Sequence, residues 1–454
     1  MIMNIIIAGC GNIGNTIVSS LCSEGHNVVI IDNDQAVITN ITNTYDAMGV
    51  CGNSADSDAL KEAGVDKCDL FVSATGSDEL NMLSCFMAKR LGADHTIARI
   101  RNPEYNDQSI SFIRQELDID VSINPELLTA LEFFSILKLP GAVNIETFSN
   151  RRFEMIELII KDDSPICNLS LIDLRKKFTT KFLICAVQRG DKVIIPDGKF
   201  VIQSGDRIRL TAATTDTQKI LKMLGFLTKQ ARSVMIMGGG RTSYYLARLL
   251  IASGNSVKVI EKDRDKCIKF SELVPEAVVI NGEGAEQDLL TEEGISSVDA
   301  FVALTNSDEE NVLISIFASS QNVPKIITKI NRSEFINMAE KLGLECIVSP
   351  KRLISDILSS YARALENSKG SNVETLYRIM DGKAEALEFN VRSDFEHLNE
   401  PIKNLKIKKN VLIAGIIRGR QTIIPSGDDH IARGDKVIIL ATGIKMNDLS
   451  DILR

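Results

Sequence analysis

Short aliphatic runs alternate with amphipathic stretches from the start of the chain. Ile5-Ile6-Ile7 and Val28-Val29-Ile30-Ile31 are unbroken apolar runs, as expected of strands buried on both faces of a parallel sheet. Between them Ile13, Ile17 and Leu21 recur at every fourth position, giving one face of a helix that Gly25 can terminate. Further strands are expected over residues 48–51, 70–74 and 96–100. This alternation predicts an α/β, doubly wound βαβ fold. An apolar helix follows over 125–139. Beyond it come short β-branched strands, for example over 153–160, 183–188 and 207–210, separated by turn residues such as Pro196-Asp197-Gly198.

The pattern is then written a second time. Gly9-Cys10-Gly11 finds a partner in Gly238-Gly239-Gly240 and Asp32 in Glu261, both at an offset of 229 residues. After one inserted residue the offset is 230, and it pairs Gly52 with Gly282, Asp58 with Asp288, and Asp69 with Asp299. At that offset Thr75-Gly76-Ser77-Asp78-Glu79 matches Thr305-Asn306-Ser307-Asp308-Glu309, Asn81 matches Asn311, and Arg99 matches Lys329. Later, Arg189-Gly190 and Gly205-Asp206 match Arg418-Gly419 and Gly434-Asp435 at 229. One offset held over so many positions means a tandem duplication. The expected architecture is a Rossmann-like doubly wound parallel-sheet domain followed by a small α+β domain, twice over. The modules are placed at 1–125, 144–228, 232–350 and 373–454, with a second apolar helix over 350–365.

Composition narrows the partners. The 454 residues carry 52 basic and 60 acidic side chains, for a net charge of −8. That balance, with 5% aromatic residues and no Trp, argues against nucleic acid as a partner, which would call for a basic face or stacking platforms. No apolar run reaches the ~18 residues of a membrane span. The opening residues read as a first strand rather than a signal peptide. Nine scattered Cys without a CxxC pair suggest reduced thiols in a cytosol and no zinc site.

Gly9-x-Gly11-x-x-Gly14 lies between a buried strand and an amphipathic helix, the context a dinucleotide loop requires. The first Gly permits a tight turn, and the second lets backbone N–H groups approach a pyrophosphate. The third lets helix and strand pack closely, with the anion at the helix N-terminus. Asp32 ends the second strand, 18 residues after Gly14. A carboxylate there can accept both ribose hydroxyls and repel a 2′-phosphate, which favours NAD over NADP. Asn53, Thr75 and Gly76 follow later strands, and Arg99 lies on the fifth, where a guanidinium can meet phosphate or form a salt bridge with a neighbouring Asp. In the second half Glu261 and Lys329 stand for Asp32 and Arg99. The third glycine is Ser243, which should widen helix–strand packing. Arg241-Thr242 replace Asn12-Ile13, so the site either takes a differently phosphorylated adenine nucleotide or is filled by Arg241.

Other features have plain readings. His26, His95, His397 and His430 show no metal-ligand spacing with Cys or carboxylates. Cys10 reads as a small tolerated side chain rather than a redox switch. Arg175-Lys176-Lys177 and the lysines of 406–409 read as solvated faces, and Asp78-Glu79 and Asp308-Glu309 as helix starts favoured by the dipole.

The whole chain resembles the TrkA family, the regulatory subunits of microbial Trk-type potassium uptake systems. The resemblance is carried by Ile6-Ile7-Ala8-Gly9-Cys10-Gly11-Asn12-Ile13-Gly14, by Thr75-Gly76-Ser77-Asp78-Glu79-x-Asn81-Met82, and by Ile97-Ala98-Arg99-Ile100-Arg101-Asn102-Pro103-Glu104-Tyr105. These look like an RCK (regulator of potassium conductance) N-domain signature. The resemblance implies a cytoplasmic protein, peripheral on the inner face of the cell membrane, that binds NAD(H) and ATP or ADP. It also implies a homo-oligomeric ring, a tetramer, beneath a separate membrane potassium transporter subunit. By that resemblance the site residues are Gly9, Cys10, Gly11, Asn12, Ile13, Asp32, Thr75, Gly76 and Arg99. In the second half they are Gly238, Gly239, Gly240, Arg241, Thr242, Glu261 and Lys329, with Ser243 departing from the pattern. The rival reading is an NAD-dependent oxidoreductase, which needs a proton donor or acceptor near the nicotinamide. No such constellation stands out, so no enzyme is expected. A redox-responsive transcription regulator would need a helix-turn-helix with a basic face, and none is evident.

Overall fold

The computed structural model describes residues 2–105, 107–139, 141–149, 152–178, 180–226, 231–284, 286–368, 373–380, 382–444, 446 and 448–454. Ile5, Ile6 and Ile7 are each at most 2% exposed, which places strand β1 (Asn4–Ala8) in the middle of a sheet. Burying each such side chain contributes about 1.5–3 kcal/mol. The other strands are β2 (Asn27–Asp32), β3 (Ala47–Cys51), β4 (Leu70–Ser73), β5 (His95–Arg99) and β6 (Val121–Ile123). They form a parallel sheet in the order β3-β2-β1-β4-β5-β6, with Ala8 between Ile31 and Ser73. Chain order reverses between β1 and β4, the point at which open α/β sheets bind ligands.

This sheet belongs to a compact unit of residues 1–129 and 349–362. The helix Pro350–Ser368, which follows the second half's sheet in sequence, gives most of its length to the first. There Ser359 Oγ meets Ser20 Oγ at 2.9 Å. Ser20 lies on the glycine-loop helix Asn12–Ser23, which ends before Gly25 in the left-handed region at φ +87°.

The second unit holds residues 130–348 and 363–454. Its first sheet is antiparallel, from β7 (Asn144–Phe148), β8 (Phe153–Ile159), β9 (Leu183–Arg189), β10 (Lys192–Ile194) and β11 (Arg207–Ala213), in the order β10-β9-β11-β8-β7. The duplicated parallel sheet follows, from β12 (Ser233–Met237), β13 (Ser256–Glu261), β14 (Val278–Asn281), β15 (Ala300–Ala303), β16 (Lys325–Lys329) and β17 (Cys346–Val348). Its order, β14-β13-β12-β15-β16-β17, repeats that of the first. A second antiparallel sheet closes the chain: β18 (Val373–Ile379), β19 (Ala384–Asn390), β20 (Val411–Arg418), β21 (Gln421–Ile423) and β22 (Lys436–Thr442), ordered β18-β19-β22-β20-β21. The fold is thus α/β, with two Rossmann-like parallel sheets alternating with two antiparallel ones.

Helix Pro125–Lys138 mirrors the exchange just described. It is written after the first parallel sheet, yet Ala130, Phe133, Phe134 and Leu137 share a core with Val234, Ile236, Leu246 and Val302 of the second. The two antiparallel sheets share another core, in which Phe148, Phe153 and Met155 meet Ala386, Ile417 and Leu440. At Gly415, beside a bulge in β20, a Cβ would lie 2.2 Å from the Phe153 ring. Only the bare backbone admits that ring.

Candidate functional site

The glycine loop of the first unit leaves β1 and enters the helix Asn12–Ser23. Gly9 has φ +84°, and a Cβ there would sit 2.6 Å from the Thr75 backbone, so this turn requires glycine. A Cβ at Gly14 would fall 2.0 Å from the Gly9 carbonyl oxygen, which is the close helix–strand approach expected of the third glycine. Gly11 differs from both. Its φ is −63°, and a Cβ there would meet no atom within 4 Å. No side chain caps the helix that begins at Asn12, so its first N–H groups face open space at the positive end of the dipole.

Asp32 ends β2 beside this loop. Its Oδ2 accepts the Cys10 N–H at 2.7 Å and its Oδ1 accepts the Asp34 N–H at 3.0 Å. Each oxygen keeps acceptor capacity that ribose hydroxyls can use. Cys10 is 4% exposed, and burial, reinforced by Asp32, pushes its thiol up to about 12. It is therefore a neutral thiol, in line with a small side chain at this position. Asn53 follows β3, and its Oδ1 accepts the Ala55 N–H at 3.0 Å in a turn. Thr75 and Gly76 follow β4, and Arg99 ends β5. These residues, with Asn12 and Ile13, lie at the carboxyl ends of neighbouring strands. Arg99 stands 3.8 Å from Glu126, with both side chains mostly buried. This carboxylate neighbour is a Glu from the start of the helix Pro125–Lys138.

The second half repeats the construction. Glu261 is 7% exposed. Its Oε2 accepts the Gly239 N–H at 2.7 Å and its Oε1 the Asp263 N–H at 3.0 Å, the same two positions that Asp32 serves. Gly238 takes φ +101°, and Gly240 again has nothing within 4 Å of a Cβ. Ser243 is fully buried and donates its hydroxyl to the Gly238 carbonyl, so the third position ties helix to loop by a hydrogen bond. Arg241 and Thr242 open the helix Arg241–Ala252. The Arg241 side chain is exposed. Lys329 ends β16 and donates to the Leu304 carbonyl at 3.4 Å.

Four supporting residues carry more than the sequence suggested. Asn81, fully buried, accepts the Thr75 N–H at 2.8 Å and donates to the Arg99 carbonyl at 2.8 Å. Asn311 does the same for Thr305 and Lys329, at 2.8 and 3.0 Å. Asp78 does begin a helix, Asp78–Leu91, but it also accepts the N–H groups of Arg101 and Asn102 at 2.8 and 2.7 Å. Asp308 holds Asn331 and Arg332 in the same way. The signal available in advance was that all four positions survive the duplication. The histidines also find polar neighbours, among them Glu400 for His397 at 2.8 Å and Asp120 for His95 at 3.8 Å. Among the described residues no group of three or more His, Cys, Asp or Glu could hold a metal ion.

An open glycine loop, an uncapped helix start and a carboxylate ending the second strand fit a dinucleotide. A TrkA-N domain model matches residues 5–125 and 234–350, and a TrkA-C domain model matches 155–225 and 387–454. The Trk system potassium uptake protein TrkA homolog of Archaeoglobus fulgidus is 31% identical over 452 residues, covering 100% of both chains. Among solved structures, the GsuK RCK domain superposes with a TM-score of 0.65 at 17% identity, over 98% of this chain and 93% of its own. The GsuK channel bound to NAD gives 0.64 at 16% identity, over 98% of this chain and 77% of its own.

Proposed function

The chain belongs to the family built from TrkA-N and TrkA-C domains, and from that premise we propose that it is a nucleotide-sensing regulatory subunit of a potassium uptake transporter. The first Rossmann-like site takes NAD(H). The second takes an adenine nucleotide, ATP or ADP, drawn by Lys329 and by Arg241 at the head of its helix. The partner is a membrane potassium transporter subunit of the Trk type, with this chain peripheral on the cytoplasmic face of the membrane. Nucleotide occupancy changes the arrangement of the Rossmann-like modules, and a ligand does so only through its differential affinity for the two states. By linkage, the transporter must in turn alter nucleotide affinity.

The observation that carries this reading is the duplicated clamp in which Asp32 and Glu261 each hold the second residue of an open glycine loop. A homo-oligomer, taken as a tetramer, is supported by a duplicated apolar position: Leu83 and its repeat Leu313 are 49% and 68% exposed. Exposed apolar groups kept in both copies mark a contact surface more readily than scattered single ones do. Among the described residues no helix is long and apolar enough to cross a membrane.

The test is Gly11→Ala. A methyl group at Gly11 meets no protein atom and needs no positive φ, so the fold tolerates it, while a phosphate cradled by the loop would collide with it. Calorimetry should show NAD(H) binding lost with the melting temperature unchanged. Potassium flux through the reconstituted partner should then no longer respond to NAD or NADH. Unchanged NAD(H) affinity in this variant overturns the site. Lost affinity with an unchanged flux response overturns the regulatory role. No hydride transfer to a substrate panel is expected.

A further inference from the structure

Arg99 ends β5 and Glu126 opens the helix Pro125–Lys138, and strand pairing brings them together: Arg99 lies opposite Ile123 on β6, just before that helix begins. Arg99 Nη2 stands 3.8 Å from Glu126 Oε1, too far for a hydrogen bond, and Glu126 Oε2 is buried and accepts none. The two side chains are 16% and 20% exposed. Two other buried pairs in the chain are closed. Arg209 on β11 gives its two Nη groups to Glu146 on β7 and Glu157 on β8, and Arg363 holds Glu385 by hydrogen bonds of 3.2 and 3.3 Å. A carboxylate oxygen left bare in a mostly buried place is destabilising, so stability alone does not account for Glu126. Nor does the helix start demand an acid, although the dipole favours one. The repeat reads Pro350-Lys351-Arg352-Leu353 where the first half reads Pro125-Glu126-Leu127-Leu128.

We propose that Glu126 is a charge gate that sets the length of phosphate chain the first site admits, passing a dinucleotide and turning away a nucleoside triphosphate. This rests on the nucleotide reading of that site. Asp32 ends β2 and the glycine loop leaves β1, so a ligand with its ribose at Asp32 and its first phosphates at the loop runs from β2 toward β4 and β5. The Arg99–Glu126 pair stands two strand spacings beyond β1, about 10 Å. A pyrophosphate held by the loop and the helix start at Asn12 stays clear of it. Each further phosphate is carried past Thr75 and Gly76 toward it. There the added charge meets a guanidinium already matched by a carboxylate, and the bare Oε2 adds repulsion that water screens little in a part-buried place. In a dinucleotide the same stretch holds the second ribose, which is uncharged and whose hydroxyls can donate to a carboxylate. One side chain thereby favours NAD(H) and disfavours ATP at the same loop.

Displacement of NADH from the full chain by AMP, ADP and ATP, followed by NADH fluorescence in EDTA, tests this. Glu126→Gln keeps the size of the side chain and removes its charge. NADH affinity should change little, while ATP should displace NADH at a concentration lower by roughly tenfold or more, since like charges about 4 Å apart in a part-buried site are worth at least that factor. ADP should gain less and AMP nothing, a gradation with phosphate number that a loosened helix start does not produce. Glu126→Lys, which brings in the charge of the repeat, should extend the gain and carries the test if the glutamine variant fails to fold. With Mg2+ present the gain should shrink, because the metal masks phosphate charge. A variant that binds ATP less well than wild type, with or without Mg2+, overturns the gate, as do equal gains for AMP and ATP. NADH binding with an unchanged ATP response overturns the gate alone. A wild-type chain that binds no NADH overturns the first-site reading and the gate with it.

Discussion

Asn81 bridges the end of β5 and the loop after β4: its side chain donates to the Arg99 carbonyl and accepts from the N–H of Thr75, both at 2.8 Å. Asn311 holds Lys329 and Thr305 in the second half. One buried amide thereby sets the spacing between the loop after β4 and the end of β5, two places that contribute to each candidate site.

Asn81→Ala should destabilise the first unit. It leaves the Thr75 N–H and the Arg99 carbonyl without their partner in a fully buried position, at a cost of about 1–3 kcal/mol. Urea unfolding followed in the first unit reads the loss, and NAD(H) affinity should fall with it. Equal stability of variant and wild type would remove Asn81 from the framework of the site.

Much of this framework was legible in advance because it is local or periodic. The aliphatic runs around Ile6 and Val29 announce central strands, and the glycine loop with Asp32 announces the switch point between β1 and β4. Long-range partnerships were not legible. Nothing at Glu126 marks it as the neighbour of Arg99, and nothing at Phe133 says that it completes the core around Val234. An apolar helix needs a hydrophobic partner, but its pattern does not say which of two similar sheets supplies one. The charged cluster around Arg209 was equally hidden, since Glu146, Glu157 and Arg209 come from three strands and read singly as ordinary exposed charges.

The third loop position should behave oppositely in the two halves. At Gly14 a Cβ would lie 2.0 Å from the Gly9 carbonyl oxygen, so Gly14→Ser should cost about 1–3 kcal/mol by overpacking and abolish NAD(H) binding. Ser243 already fits, with its hydroxyl on the Gly238 carbonyl, and Ser243→Gly should lose at most about 1.5 kcal/mol, the net worth of one hydrogen bond. Thermal melts of the two variants check the asymmetry. Equal losses would mean that the halves use this position alike.

Thiol reactivity should separate Cys10 from Cys51. The thiolate is the reactive form, and the Cys10 thiol is raised to about 12 by burial and Asp32. At pH 9 only roughly one Cys10 in a thousand is ionised. Cys51 is exposed. Iodoacetamide labelling with peptide mapping should modify Cys51 first, and Cys10 only as the pH approaches about 12 or the chain unfolds. Rapid labelling of Cys10 at pH 8 would reopen a redox role for the glycine loop.

The last expectation concerns which dinucleotide the first site accepts. Asp32 has two tasks: it fixes the loop through the Cys10 N–H at 2.7 Å, and it presents an anion where the adenosine ribose is expected. A 2′-phosphate brought to that position meets like charge, so NAD(H) should bind more tightly than NADP(H). Asp32→Asn separates the two tasks, because its amide oxygen can still accept from Cys10 while the charge is gone. The loop should keep its shape, and NAD(H) should weaken by about 1–3 kcal/mol as a charged acceptor for ribose is lost. NADP(H) should weaken less or gain, so the ratio between the two moves toward NADP(H). Raised salt should narrow the wild-type preference, since exposed charge repulsion is screened over about 10 Å at 0.1 M. Calorimetric titration of both cofactors at two ionic strengths, on wild type and Asp32→Asn, measures all of this. A wild-type chain that binds NADP(H) as tightly as NAD(H) would leave Asp32 with the structural task alone.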